Sequence, residues 1–382
     1  MLAQIPNLER APRIDRRARR IQDPVDRLRY LRREMARPPR RRPDFLRHLS
    51  LLAIPVMLAI APRPNSAGNA ETIALERRLL VPAATPAAAP GIPAAVPRIW
   101  RVEHSRTTDV YSNGLRVELG FLVSNRPRAR FHVYSPAGGT EPVKNGSEPV
   151  GIVFHTTESH LAPFQEEENR RLKQLGRNLV EGVRQERAYH YVIDRFGRVF
   201  NVVNESDAAN HAGTSVWADS DGVYVNLNDS FFGVSFEGQT GATDEVTPAQ
   251  IASAKVLTEM LRSRFGIRAE NCVTHAQVSV NQYNMRIGAH TDWAAAFPFR
   301  AVGLPDNYSL PPASIYAFGF EYDSVFLRAA GGARWKGLEA AGQLIEREAQ
   351  AQKIPVEQYR ASLRQRYKEI VAALKKENSG GI

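Results

Sequence analysis

Cysteine is all but missing from this chain. Cys272 stands alone among 382 residues, so an intramolecular disulfide framework is excluded. It reads as a small apolar residue of a buried strand. A membrane-spanning run is missing as well. The apolar stretch from Leu49 to Ala61 falls short of the roughly 20 residues a spanning helix needs. Acidic residues are scarce at one end only. Residues 1–48 hold 15 arginines against 6 acids, so they carry +9 of the net charge of +11 and leave +2 for everything else. A body that close to neutral offers no phosphate-binding surface, which argues against nucleic acid as a partner. What the chain does have is a 43% apolar fraction, enough for a real core.

The N-terminal part reads as a leader. Arg40, Arg41, Arg42 and Arg47 precede the Leu49–Ala61 stretch, and Ser66, Ala67, Gly68 and Ala70 follow it. A basic flank, a short apolar run and a small-residue exit describe a secretory signal peptide, hence an exported protein that is periplasmic, extracellular or membrane-anchored facing the envelope. Translation from Met35 would give this leader a basic segment of ordinary length. The alternative is a basic arm ahead of an uncleaved anchor. The expected division is a disordered basic arm over 1–48, a signal peptide or short anchor over 49–70, and an Ala/Pro-rich linker over 71–97.

Beyond the linker the patterning changes. Val117, Leu119 and Phe121 alternate with polar residues, and Ser112-Asn113-Gly114 is a turn signal. A small antiparallel β appendage is expected over 98–148. The region 149–305 alternates strands and helices, which makes the fold class α/β. Gly151–His155, Tyr189–Asp194, Arg198–Val203, Phe232–Phe236 and Cys272–Thr274 read as strands. Residues 163–186, with Leu172, Leu175, Leu179 and Val183 at helical spacing, read as a surface helix. Thr247-Pro248 opens another helix that Gly266 closes. A C-terminal helical extension occupies 306–382. Within it Val356, Tyr359, Leu363, Tyr367, Ile370 and Leu374 form one apolar stripe. That helix packs on its own domain or contacts a membrane or envelope protein.

Three residues carry chemistry. His155 closes the apolar run Val150-Gly151-Ile152-Val153-Phe154, His275 closes Cys272-Val273-Thr274, and Asp292 lies in His290-Thr291-Asp292-Trp293. Two imidazoles at strand ends and one carboxylate make a three-ligand set of the kind that holds catalytic zinc with one position open. Taken singly, each histidine also fits a hydrogen-bonded structural role, and Asp292 fits a helix N-cap.

The surrounding segments settle on a resemblance. These are Ile152-Val153-Phe154-His155-Thr156-Thr157, Tyr189-His190-Tyr191-Val192-Ile193-Asp194-Arg195-Phe196-Gly197-Arg198-Val199, Asn210-His211-Ala212-Gly213, Asn228-Asp229-Ser230-Phe231-Phe232-Gly233-Val234, Thr274-His275 and His290-Thr291-Asp292. In this order they resemble the zinc-dependent N-acetylmuramoyl-L-alanine amidase family, which includes phage amidase-lysozymes and peptidoglycan-recognition proteins. The resemblance implies a central mixed β-sheet flanked by helices and a Zn2+ cofactor on His155, His275 and Asp292. It implies peptidoglycan or muropeptides as the partner, cut between N-acetylmuramic acid and L-alanine. It places Tyr189 and His290 beside the developing oxyanion, and Asn210 and His211 in contact with substrate. A non-catalytic peptidoglycan-binding module of the same fold is the alternative. His290 stands where many members carry lysine, and is itself a second candidate ligand. The chain departs from the family at Ser235, where many bacterial members have a catalytic glutamate. Glu237, two residues on and on the same side of the strand, is the expected substitute as general base. Trp293-Ala294-Ala295-Ala296 replaces the usual Pro-Gly-Pro after the acidic ligand, and the connection from His275 to Asp292 is longer than usual.

Overall fold

A computed structural model describes residues 97–240 and 246–380; the expected arm, signal peptide and all of the linker before Pro97 lie outside these residues. The chain order begins with β1 (Arg101–His104), β2 (Thr108–Tyr111), β3 (Arg116–Glu118), β4 (Phe131–Tyr134), β5 (Pro142–Gly146) and β6 (Gly151–Thr156). Helix α1 (Asn169–Glu186), β7 (Tyr191–Ile193), β8 (Val199–Asn201), β9 (Val216–Asp219), β10 (Gly222–Val225) and β11 (Phe231–Phe236) follow. Then come α2 (Pro248–Phe265), β12 (Cys272–Thr274), α3 (His275–Val278) and the short hairpin β13 (Val280–Asn281) and β14 (Arg286–Ile287). Four more helices complete it: α4 (Ala313–Tyr316), α5 (Ser324–Ala329), α6 (Lys336–Ala351) and α7 (Val356–Gly380).

The central sheet has eight strands in the order β1-β2-β3-β8-β7-β11-β6-β12. β6 runs parallel to both β11 and β12, β7 is parallel to β11, and β7 and β8 are antiparallel, so the sheet is mixed. β6 and β11 are buried at every residue. That is why they read as continuous apolar runs rather than as alternation. Ile152, Phe154, Phe232, Val234 and Phe236 meet Ala254, Leu257, Met260 and Leu261 of α2 on one face. Val180 and Val183 of α1 meet Val192, Phe200 and Val202 on the other. Helix α2 starts with a capping box between Thr247 and Gln250, has Pro at its first turn, and ends at Gly266 with φ of 65°. These are the signals its sequence carried.

Two parts of the expected division join the central body instead of standing apart. Within 98–148, β3 pairs with β8 and so carries β1 and β2 into the main sheet. β4 and β5 belong to a second, antiparallel sheet in the order β5-β4-β10-β9. The segment's strands pair locally, β1 with β2, β2 with β3 and β4 with β5, and join the body through two links that each span more than 80 residues, β3 to β8 and β4 to β10. The C-terminal extension shares a core as well. Phe318, Phe320, Leu338, Ile345, Tyr367 and Ile370 cluster with Tyr134, Val216, Val223, Ala276 and Val280. Among the described residues no helix is long and apolar enough to cross a membrane.

Candidate active site

Topology brings the first two site residues together. Thr274 of β12 lies opposite Phe154 of β6 in parallel register, so His275, the next residue, emerges beside His155. Both histidines thus stand at the carboxyl ends of adjacent parallel strands, the edge at which open α/β sheets bind ligands. Their ring centroids are 4.5 Å apart. Asp292 arrives from the loop after β14, and its carbonyl accepts from the Ala276 amide at 3.2 Å, tying that loop to α3. The Asp292 carboxylate lies 3.1 Å from His155 Nδ1 and 2.9 Å from His275 Nδ1. All three side chains are buried, and their potential ligand atoms lie within 4.8 Å of one another. Ligand atoms held tetrahedrally at zinc bond lengths sit roughly 3.3 Å apart, close to the 2.9 and 3.1 Å between the carboxylate and the two imidazoles.

The hydrogen bonds around His155 favour a cation between these groups. The Phe231 carbonyl can only accept, so His211 Nε2–H donates to it at 3.2 Å. A neutral His211 then has a bare Nδ1, and His155 Nε2–H donates to that atom at 3.2 Å. A neutral His155 is left with a bare Nδ1 facing a carboxylate oxygen. Both rings are neutral near pH 7: burial, reinforced by neighbouring imidazoles, lowers His155 to about 4 and holds His211 well below the ordinary value. Two lone pairs 3.1 Å apart repel unless a positive ion lies between them. The donor set therefore fits a divalent metal, with a histidine partner that fixes the ligand tautomer. His275 Nε2 is buried without a hydrogen-bond partner among the described residues.

A cleft of about 450 Å³ opens over this cluster, lined in part by Thr157, Glu158, Tyr189, Asn210, His211 and His290. The Tyr189 ring lies 5.0 Å from that of His155. Burial, helped by the Asp292 charge, pushes its hydroxyl up to about 12, so it stays protonated as a donor. His290 stacks on His275 with centroids 4.7 Å apart and an interplanar angle of 17°, and burial lowers its pKa. His290 is not in the converging ligand set found among the described residues. Asn210 is exposed, and its amide donates to the Glu186 carbonyl. His211 is fixed further by Asn228, whose side-chain oxygen accepts from the His211 and Ala212 amides. Gly233 makes room for that ring: a Cβ there would come 2.5 Å from His211 Cγ.

Glu237 is a correction. It is not among the residues lining the cleft. β11 ends at Phe236, and the Glu237 amide bonds to Ile193. Its carboxylate accepts from the Arg195 amide at 3.0 Å and lies under Gly176 of α1. Facing the same side of the strand as Ser235 is thus not enough; one pleat further on, α1 covers the position. The carboxylate that does line the cleft, apart from Asp292, is Glu158, which sequence reasoning missed. It has φ of 50°, and Thr156 Oγ1, Thr240 N and Thr240 Oγ1 all donate to its Oε1 at 2.6–2.8 Å. Its one sequence signal is its place directly after the His155-Thr156-Thr157 motif.

Comparison with known proteins follows the same lines. Residues 145–294 match the family model described as N-acetylmuramoyl-L-alanine amidase. No curated protein matches the chain. Solved structures similar to it include the N-acetylmuramoyl-L-alanine amidase LysC from Clostridium intestinale. That structure is 19% identical, covers 47% of this chain and 93% of its own, and has a TM-score of 0.27. The amidase AmiD from E. coli, solved with the substrate anhydro-N-acetylmuramic acid-L-Ala-D-gamma-Glu-L-Lys, is 20% identical over 41% of this chain and 56% of its own, with a TM-score of 0.30. The Drosophila peptidoglycan recognition protein SD is 16% identical over 42% and 86%, with a TM-score of 0.26. The segment that matches the N-acetylmuramoyl-L-alanine amidase model, residues 145–294, contains all six motifs, both histidines and Asp292.

Proposed function

We propose that this protein is an exported zinc amidase that hydrolyses the amide between N-acetylmuramic acid and L-alanine in peptidoglycan or its fragments. The observation that carries the reading is the convergence of His155 Nδ1, His275 Nδ1 and the Asp292 carboxylate under an open cleft. These three would hold the zinc, which supplies a Lewis acid for the scissile carbonyl and lowers the pKa of water. The chain's own groups do the rest. His211 keeps His155 in the tautomer that leaves Nδ1 bare. Tyr189, protonated at working pH, donates to the oxyanion that develops on the lactyl carbonyl. His290, stacked over His275, offers a second donor at the same wall of the cleft. We assign the proton transfer toward the leaving amine to Glu158, the carboxylate besides Asp292 that lines the cleft, held there by two threonines. Asn210 sits at the rim, where the substrate enters. Export rests on the leader.

The test is direct. Purified full-length protein is incubated with muropeptides, with and without a chelator, and the products are identified by mass. Free stem peptide beginning with L-alanine, lost on chelation and restored by zinc, is the expected result. Intact muropeptides in the presence of zinc, or release that ignores the chelator, would overturn the assignment.

A further inference from the structure

The geometry points to Tyr308 and Trp335, both beyond the matched segment 145–294, as positioning residues for the metal ligands; this rests on the metal reading above. Asp292 opens a loop with an unusual backbone. Trp293 has φ of 57° and Ala296 φ of 59°, left-handed conformations that non-glycine residues keep only when their surroundings hold them. Here no Pro-Gly-Pro stiffens the loop, and the holding groups come from elsewhere. The Tyr308 hydroxyl donates to the Trp293 carbonyl at 2.7 Å and accepts from the Phe297 amide at 3.2 Å. Trp335 Nε1 donates to the Ala294 carbonyl at 3.0 Å, in a buried bond. The two rings pack on each other with centroids 5.0 Å apart.

The same strap reaches the other ligand. The Asn307 carbonyl accepts from Gln277 Nε2 at 2.8 Å, and Gln277 Oε1 accepts from the Thr274 amide at 2.9 Å. That second bond belongs to the capping box that starts α3 at His275. Asn307 Nδ2 donates in turn to the Ala269 and Cys272 carbonyls. Asn307 and Tyr308 thus join the strand that carries His275 to the loop that carries Asp292. Trp335 backs them from the N-cap of α6, whose Leu338, Ala341 and Ile345 lie in the C-terminal core. The extension therefore fixes the distance between two ligands.

In the full chain, Tyr308→Phe and Trp335→Phe each delete a donor and keep a ring. Zinc affinity, measured by chelator competition, should fall about 10-fold or more in each, the usual effect of losing an outer partner of a metal site. The absorption spectrum of the cobalt-substituted protein should change with it. Ile345→Ala thins the same core two turns further along α6; it should lower Tm without moving zinc affinity or the cobalt spectrum. If one Phe variant fails to fold, the other carries the test. Wild-type affinity in the folded variants overturns the inference while leaving the metal reading intact. A wild-type protein that binds no zinc overturns both.

Discussion

His155 is constrained on both sides of its ring. On one side His211 must accept, and on the other Asp292 requires a cation. This makes Gly233 a sensitive position although it touches no substrate. Gly233→Ala would place a methyl 2.5 Å from His211 Cγ and push the ring away. The expected cost is about 1–3 kcal/mol of stability, with weaker zinc binding, read by urea melts and metal titration. A variant with wild-type melts and affinity would refute the relay from Phe231 through His211 to His155. Tyr189 is testable by a smaller change. Tyr189→Phe removes one donor to the oxyanion, so kcat should fall by about 10²-fold with little change in KM. An unchanged kcat would assign that donor role to His290 alone.

Helix α1 decides the fate of Glu237. Burial, with Asp194 nearby, raises the Glu237 pKa above its ordinary 4.5. The fold thus prefers the protonated acid. Ionisation therefore costs stability, and the cost grows as pH rises from 4.5 until it passes the folded-state value. Glu237→Gln removes the charge and leaves an oxygen for the Arg195 amide. Its stability relative to the wild type should rise across that window and stay higher at neutral pH, with turnover retained. Lost turnover would restore Glu237 to the chemistry. The elements with local signals were legible in the sequence. β6, β11 and β12 are continuous apolar runs, and α2 has its cap, its proline and its closing glycine. His155, His275 and Asp292 were legible as a set because a motif order surrounds them. The rest depends on contacts distant in sequence. Nothing near Val117 announces that β3 will pair with β8, and nothing near Trp335 announces a bond to Ala294. The helices α4 and α5 are too short for a stripe, and α6, with Leu338, Ala341, Ile345 and Ala349 along one face, gives no local sign that its partners are strands β4, β9 and β10. Glu158 reaches the cleft through one left-handed residue, which no periodicity encodes.

Across the whole molecule, shared cores imply joint unfolding. Cutting the chain to 149–305 would strip β1–β3 from the main sheet and expose the Val216, Val223 and Ala276 face. That fragment should show no cooperative transition by calorimetry, whereas 98–382 should unfold in one. A fragment that melts cooperatively would reinstate the flanks as separate modules. Zinc should raise the midpoint of the larger piece, by up to about 4 kcal/mol of added stability when the ion is a thousandfold above its dissociation constant. A midpoint indifferent to zinc would count against the site. One feature reaches further. His155 and His275 stand at strand ends, while Asn210 and Gly213 border the cleft from a loop. Under the proposed amidase reading, substitutions at that rim can alter which stem peptides are accepted while the two strand-end ligands stay as they are, so specificity and chemistry can evolve on separate schedules.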